Sequence, residues 1–176
     1  MKRRHLLFVG LPGVGKSTIG RLVAETLKAP LIDVDNLLVR QMGMPIAQIF
    51  GKLGEPEFRR MERDAVRAAC VADPAVLVPG GGWAAQDGEL EMARETSCTI
   101  YLKCQPSTAA KRADQGEVRP LLTEDPVARM RALLQEREPY YSRAEHQVAT
   151  DAKTAEAVAA EVIKIAQASG GWALTS

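Results

Sequence analysis

The sequence predicts an α/β fold in which about five parallel strands form an open sheet with helices on both faces. Short apolar runs alternate with segments of helical periodicity along the whole chain. Most of these runs are largely apolar instead of alternating with polar residues, which is typical of strands covered on both faces of a sheet. Regular strand–helix alternation then favours right-handed crossovers between neighbouring parallel strands.

Each element has its own signal in the sequence. The apolar runs that predict strands are 5–9, 30–34, 75–79, 98–103 and 146–150. Helical spacing of apolar residues predicts helices at 15–28, 36–52 (with a break near Pro45), 55–71, 88–94, 106–113, 126–145 and 154–168. The charged segment 113–126 lacks periodicity, and a loop of that length is usually functional. The tail 168–176 is expected to fray, although Trp172 offers a group that can dock.

Composition limits the classes of function. A chain of 176 residues that is 46% hydrophobic has room for one well-filled core, so we expect a single domain over 1–176. The net charge of +1 favours neither nucleic acid nor a membrane surface as a partner. No apolar stretch reaches the length of a signal peptide or a membrane span, and the three cysteines lack metal-ligand spacing. We therefore expect a cytoplasmic protein with reduced thiols.

The stretch "FVGLPGVGKST" (8–18) carries the strongest motif. Gly10, Gly15, Lys16 and Ser17 complete the pattern G-x-x-x-x-G-K-[ST], between a predicted strand and a predicted helix. Glycines allow successive backbone N–H groups to surround an anion, and a helix N-terminus adds partial positive charge. In this pattern the lysine reaches the outer phosphates and the hydroxyl binds Mg²⁺. The phosphate loop (residues 10–17) therefore predicts a nucleoside triphosphate site.

Two other classes of phosphate-loop protein are excluded by missing motifs. A guanine-nucleotide switch needs N-K-x-D and D-x-x-G, but Asn36 is the only asparagine and the second pattern does not occur. The LSGGQ signature of transporter-type ATPases is also absent. Residues that handle anions and protons are instead spread along the chain, which favours transfer of a phosphoryl group to a small acceptor.

Two carboxylates follow the second predicted strand. "LIDVD" places Asp33 and Asp35 at its end, two residues apart and so expected on the same side of the strand. The carboxyl ends of strands border the ligand crevice in an open α/β sheet. One carboxylate is suited to the Mg²⁺ shell and the other to an acceptor hydroxyl. The alternative is structural: Asp35 caps the next helix and Asp33 is solvated.

Arginines and glycines supply further candidates. Arginine forks bind carboxylates and phosphates in a bidentate manner, whereas a single arginine is more often a solvated surface residue. The glycine segment (80–82) follows the third strand and permits close approach of backbone N–H groups to a ligand, unless it is only a loose turn. The arginines concerned are Arg59, Arg60, Arg119 and Arg137.

Taken in order, these motifs resemble the shikimate kinase family over nearly the whole chain. The matching segments are "GLPGVGKST", "LIDVD", "IAQIFGKLGEPEFRRME", "PGGG", "VRPLL" and "RALLQER". The resemblance implies phosphorylation of the 3-hydroxyl of shikimate by ATP with Mg²⁺, within chorismate and aromatic amino-acid biosynthesis. It also implies the three-layer phosphate-loop NTPase fold of nucleoside monophosphate kinases, with a five-stranded parallel sheet. A substrate-binding helical region at about 33–62 and a mobile lid at about 113–125 are further implications. We expect a monomer, although no motif in the sequence determines the oligomeric state.

The resemblance also assigns roles by matching position. Catalytic roles fall on Asp35, Lys16 and Arg119. ATP binding falls on Gly13, Val14, Gly15, Lys16, Ser17, Thr18, Arg112, Arg119 and Lys153, with Arg112 packing on adenine and residues 151–154 closing over the base. Shikimate binding falls on Asp35, Arg59, Gly80, Gly81, Gly82 and Arg137, and Mg²⁺ binding on Ser17 and Asp33.

Two positions depart from the family pattern. Val39 stands where a glutamate is usual, so Glu62, one turn along the helix from Arg59, is expected to do more to orient that arginine. Trp83 replaces a small or aliphatic residue and is expected to reshape the acceptor pocket. Two alternatives stay open: a related kinase acting on gluconate or a nucleoside monophosphate, and a nucleotide-binding regulatory module that has lost catalysis.

Overall fold

The computed structural model describes residues 1–115 and 125–174. Five strands form one sheet, and all neighbouring strands are parallel. In chain order the strands are β1 (His5–Val9), β2 (Leu31–Asp33), β3 (Val76–Val78), β4 (Ser97–Lys103) and β5 (His146–Ala149). Their order across the sheet is β2-β3-β1-β4-β5. The predicted five-stranded parallel α/β sheet is therefore confirmed.

Helices connect the strands as the sequence predicts. The predicted break near Pro45 separates two helices, because Gly43 ends the first in a left-handed conformation and Pro45 caps the second. The helices are α1 (Lys16–Leu27), α2 (Val34–Met42), α3 (Ile46–Leu53), α4 (Glu55–Cys70), α5 (Glu89–Arg94), α6 (Pro106–Gln115), α7 (Pro126–Tyr141) and α8 (Ala155–Ser169). In the parts of the chain that the structure describes, no helix has both the length and the apolarity needed to cross a bilayer.

The central strand β1 determines where the phosphate loop lies. Leu6, Leu7 and Phe8 are fully buried between β3 and β4. At Gly20 of α1 an added Cβ would lie 2.7 Å from Cγ2 of Val78, so this helix packs tightly against the sheet. The packing of β1 and α1 therefore fixes the positions of the two ends of the phosphate loop.

The C-terminal tail is more ordered than predicted. Trp172 is 4% exposed, and its Nε1 donates to the backbone oxygen of Arg4 at 2.8 Å. The Arg3 guanidinium lies 4.6 Å from the centre of the Trp172 ring. The expectation of a frayed tail is wrong as far as residue 172, because a buried aromatic ring with a satisfied N–H fixes the chain there. The expected docking of Trp172 is confirmed.

The cysteines match the expectation of reduced thiols. Cys70, Cys98 and Cys104 are free and buried. Burial raises the pKa of Cys98 and of Cys104 to about 11. Both therefore stay as neutral thiols at neutral pH.

His5 makes the stability of the fold depend on pH. Its ring is buried, Nδ1 accepts from the Ala75 N–H at 3.1 Å, and Nε2 lies 3.3 Å from the Cys70 carbonyl oxygen. Burial lowers the pKa of His5, so the folded state favours the neutral ring. The unfolded chain takes up a proton at about pH 6.5, so the contribution of His5 to stability is complete above that pH and is lost as pH falls below it.

We expect urea denaturation to show a smaller free energy of unfolding at pH 5.5 than at pH 7.5. In His5→Gln, which has no ring to protonate, this loss should be smaller than in the wild type. An equal loss in the two proteins would contradict the assignment to His5.

Candidate active site

A cavity of about 1330 Å³ opens at the carboxyl ends of β1, β2 and β3. The strands deliver to it the phosphate loop, the start of α2 and the glycine segment, while α4, α7 and the loop after β5 form its other walls. The predicted site residues that line it are Gly13, Val14, Gly15, Lys16, Ser17, Thr18, Asp33, Asp35, Arg59, Gly80, Gly81, Arg112, Arg137 and Lys153. Arg119 and most of the predicted lid (113–125) lie outside the described residues.

Positive φ angles explain the glycines of the phosphate loop. Gly13 has φ 80° and Gly15 has φ 106°, conformations that other residues rarely adopt. A Cβ at Gly13 would also lie 2.5 Å from the Ala109 carbonyl oxygen. Gly15 is the N-cap of α1, and the first turn of that helix lines the cavity. The loop therefore brings a helix N-terminus, which favours anions, to the cavity wall.

Lys16 is held inside the loop that it belongs to. The side chain is largely buried, and Nζ donates to the backbone oxygens of Gly10 at 2.7 Å and Leu11 at 2.9 Å. The ammonium group thus lies among carbonyl groups of the phosphate loop, at the wall of the cavity. This position places a fixed positive charge where the sequence predicts the phosphates.

Ser17 and Asp33 are direct neighbours. The Ser17 hydroxyl donates to Oδ2 of Asp33 at 2.5 Å, and Oδ1 of Asp33 accepts from the Asn36 N–H at 3.3 Å. A hydroxyl and a carboxylate are hard oxygen donors of the kind that Mg²⁺ prefers. The pair fits a magnesium site at the edge of the phosphate loop.

The geometry expected for Asp33 and Asp35 needs correction. β2 ends at Asp33, and Asp35 lies in the first turn of α2, so the two residues do not share one side of a strand. The cap of α2 is Asp33 and not Asp35, because the chain turns directly from strand into helix. Both residues still line the cavity, since this turn lies at the carboxyl end of β2.

Arg59 is oriented by carboxylates of its own helix. Its Nη1 donates to Oε1 of Glu62 at 3.1 Å, and Glu62 is fully buried. Oε1 of Glu55 lies 3.5 Å from Nη2, and the guanidinium carbon lies 5.5 Å from the centre of the Phe58 ring. Glu62 therefore makes the contact expected of it, while Val39 presents an apolar side chain to the same cavity.

Two candidates from the sequence, Gly82 and Arg60, are not among the residues that line the cavity. Gly82 lies behind the guanidinium of Arg59, where an added Cβ would collide with that group. Arg60 is exposed and pairs with Glu57 and Asp64 on the outer face of α4, so the alternative of a solvated arginine holds for it. Only one arginine of this pair faces the cavity.

Arg112 connects the phosphate loop to the end of β5. Its Nη1 donates to the Val14 carbonyl oxygen and to the Thr150 hydroxyl, both at 3.0 Å, and Nη2 donates to the Thr150 carbonyl oxygen at 3.0 Å. In the loop that follows, Asp151 accepts from the Thr108 hydroxyl at 2.7 Å. These bonds hold α6, the phosphate loop and the β5–α8 loop together at one end of the cavity.

Sequence reasoning missed one face of α7 and misplaced Trp83. Arg129 and Leu133 line the cavity together with Arg137, and the spacing of four residues could have revealed this face. Trp83 was expected to reshape the acceptor pocket, but its side chain is fully buried in the hydrophobic core.

A second group of possible metal ligands lies away from this cavity. Ligand atoms of Cys98, Glu145 and His146 are within 4.8 Å of one another, at the opposite end of the sheet where β5 begins. Both carboxylate oxygens of Glu145, however, accept from the Arg4 guanidinium, at 2.5 and 3.1 Å. A guanidinium already occupies the position that a cation would take.

Known proteins resemble this chain in sequence and in fold. A family model described as shikimate kinase matches residues 12–167. A shikimate kinase from Symbiobacterium thermophilum is 39% identical over 94% of this chain and 98% of its own length. One from Moorella thermoacetica is 37% identical over 90% of this chain and 91% of its own length.

Solved structures give the same result. Shikimate kinase from Acinetobacter baumannii in complex with shikimate superposes with a TM-score of 0.88 at 30% identity, over 95% of this chain and 94% of that one. Together, the match of the family model to most of the chain, the identities above 30% and the shared fold lead to one conclusion. The chain belongs to the shikimate kinase family.

Proposed function

We propose that the chain transfers the γ-phosphoryl group of ATP to the 3-hydroxyl of shikimate, which gives shikimate 3-phosphate for chorismate and aromatic amino-acid biosynthesis. Family membership supports ATP as the phosphoryl donor. The observation that carries the proposal is a single cavity with the phosphate loop on one wall and Asp35, Arg59 and Arg137 on others. Such an arrangement brings a donor phosphate and a carboxylated acceptor into one space.

On the donor side, the chain supplies alignment and positive charge, which is most of what phosphoryl transfer requires. Lys16 and the N-terminus of α1 bind the outer phosphates and stabilise charge on the transferring oxygens. Ser17 and Asp33 would hold Mg²⁺, which neutralises negative charge on the phosphates when it is bound. Arg112 and Lys153 belong to the end of the cavity assigned to the nucleoside.

On the acceptor side, one carboxylate and two guanidinium groups match the acceptor's hydroxyls and carboxylate. Asp35 accepts the proton of the attacking hydroxyl and holds the hydroxyl in line. Arg59 and Arg137 bind the acceptor carboxylate, since arginine forks pair with planar anions. This combination favours a carboxylated polyol over a nucleobase.

The remaining parts of the mechanism are proposed from the family resemblance. Arg119 moves with the lid (113–125) to contact the transferring phosphoryl group. Lid closure excludes water and so limits wasteful hydrolysis of ATP. We also propose that the protein is a cytoplasmic monomer without a nucleic-acid partner. The free buried thiols support the cytoplasm, and the net charge of +1 supports the lack of a nucleic-acid partner.

The decisive experiment measures ADP release from ATP with shikimate, gluconate or a nucleoside monophosphate as acceptor. We expect shikimate to accelerate ADP release far more than the other two. Faster release with gluconate or a nucleoside monophosphate would assign a different acceptor. If no acceptor accelerates ADP release, the result supports the alternative of a nucleotide-binding regulatory module that has lost catalysis.

Arg59→Ala should mainly weaken acceptor binding. Loss of charge-assisted hydrogen bonds costs about 1.5–3 kcal/mol, so we expect the KM for shikimate to rise roughly 10- to 100-fold. The KM for ATP should stay close to that of the wild type. Arg60→Ala is the matched control, because this neighbouring arginine is exposed and faces away. Equal effects of the two substitutions would contradict the role of Arg59.

A further inference from the structure

The C-terminal end of α7 is attached to the glycine segment by one buried hydroxyl group. Tyr141 is the last residue of α7 and is fully buried. Its hydroxyl donates to the Gly81 carbonyl oxygen at 2.5 Å. Gly81 lines the cavity, and Arg137, one helical turn before Tyr141, lines it as well. The bond therefore joins two walls of the acceptor side.

A second attachment lies on the neighbouring turn. Glu138 accepts a hydrogen bond from the Tyr101 hydroxyl, and its Oε1 lies 3.5 Å from Nζ of Lys103. Burial and the adjacent Glu138 carboxylate raise the pKa of Tyr101, so its hydroxyl keeps the proton that it donates. The Tyr101 and Tyr141 rings pack with their centres 5.2 Å apart. The end of β4 thus holds α7 right beside Arg137.

These attachments matter because the backbone alone fixes the region poorly. Pro139 lies inside α7 and has no N–H, so the helix lacks a backbone hydrogen bond in the turn that contains Arg137. The glycine segment has no side chains to hold it. It also packs closely on the phosphate loop, since a Cβ at Gly81 would lie 2.9 Å from Cδ of Pro12. The phosphate loop therefore limits the segment on one side, and the Tyr141 hydroxyl holds it on the side of α7.

We propose that Tyr141 is a positioning residue for the acceptor: its hydroxyl fixes the spacing between Arg137 and the glycine segment. It touches neither substrate and acts through these two groups. The inference rests on the proposed function, because it concerns the shikimate side of the same cavity.

The test is Tyr141→Phe, which removes the hydroxyl and keeps the ring. We expect the KM for shikimate to rise about tenfold, as the loss of one buried hydrogen bond allows, with the KM for ATP changed less than about twofold. The matched control is Tyr140→Phe, because the Tyr140 hydroxyl bonds Asp87 at the surface. That variant should behave as the wild type.

A double-mutant cycle separates positioning from general loss of packing. If Tyr141 acts through Arg137, Tyr141→Phe should raise the KM for shikimate much less in an Arg137→Ala background than in the wild type. Tyr101→Phe removes the hydrogen bond to Glu138, so it should also raise the KM for shikimate and leave the KM for ATP nearly unchanged. This variant replaces Tyr141→Phe if Tyr141→Phe does not fold.

The outcomes distinguish this inference from the proposed function. A wild type that does not phosphorylate shikimate overturns both. An active wild type with an unchanged KM for shikimate in Tyr141→Phe overturns only the positioning role. Equal rises in both KM values, or full additivity in the cycle, also overturn it.

Discussion

Lys16→Met is expected to lower kcat with shikimate about 10²- to 10³-fold, the typical cost of removing one preorganised donor from developing negative charge. Methionine keeps much of the length of the side chain but has no charge. Lys16 is the buried cation of the phosphate loop, and it lies at the cavity wall beside the predicted phosphates. Steady-state ADP release with saturating shikimate and ATP measures the loss.

Two controls make this result specific. Lys164→Met changes an exposed lysine of α8 and should leave kcat unchanged. Circular dichroism and thermal unfolding of Lys16→Met establish that the protein is folded, since the substitution also removes bonds to the Gly10 and Leu11 carbonyls. A folded Lys16→Met protein with a kcat within threefold of the wild type would contradict the role in phosphoryl transfer.

Asp35→Asn should lower kcat about 10²- to 10⁴-fold, which is the usual contribution of a positioned general base. The amide still hydrogen-bonds a hydroxyl, so we expect the KM for shikimate to change much less than kcat. Single-turnover measurement of shikimate 3-phosphate formation isolates the chemical step from product release.

The matched control for Asp35 is Asp64→Asn, because Asp64 is an exposed carboxylate paired with Arg60 on α4. It should have normal kinetics. If Asp35→Asn retains its kcat but loses shikimate affinity, Asp35 binds the acceptor without taking its proton. That result would leave the family assignment intact and remove the base from the mechanism.

The fold was readable from the sequence because its signals are local. Short runs, most of them largely apolar, identified all five strands to within one or two residues, and the phosphate-loop motif located the strand–loop–helix unit. The tail was misjudged because the order of Trp172 depends on the Arg4 carbonyl, 168 residues away in sequence. Such a distant contact leaves no periodic pattern in the tail itself.

The site was less predictable where two residues close in sequence were both candidates for the same role. Arg59 and Arg60 are adjacent, yet only Arg59 faces the cavity, because Glu62 is buried beside it while Glu57 and Asp64 hold Arg60 outside. Whether Asp33 or Asp35 caps α2 depends on where the strand ends, a boundary that sequence patterns place only to within a few residues. The role of Arg119 stays a prediction from the resemblance, since this residue lies outside the described part of the chain.

The bonds between Lys16 and the carbonyls of its own loop have a consequence for selectivity. The ammonium is already largely removed from water in the folded protein, so an incoming ligand meets a cation that is mostly desolvated before it binds. A terminal phosphate forms hydrogen bonds with this group in which both partners are charged, and these are stronger than the bonds that an uncharged ligand end forms. The burial of Lys16 therefore favours ligands that end in a phosphate over ligands that end in an uncharged group.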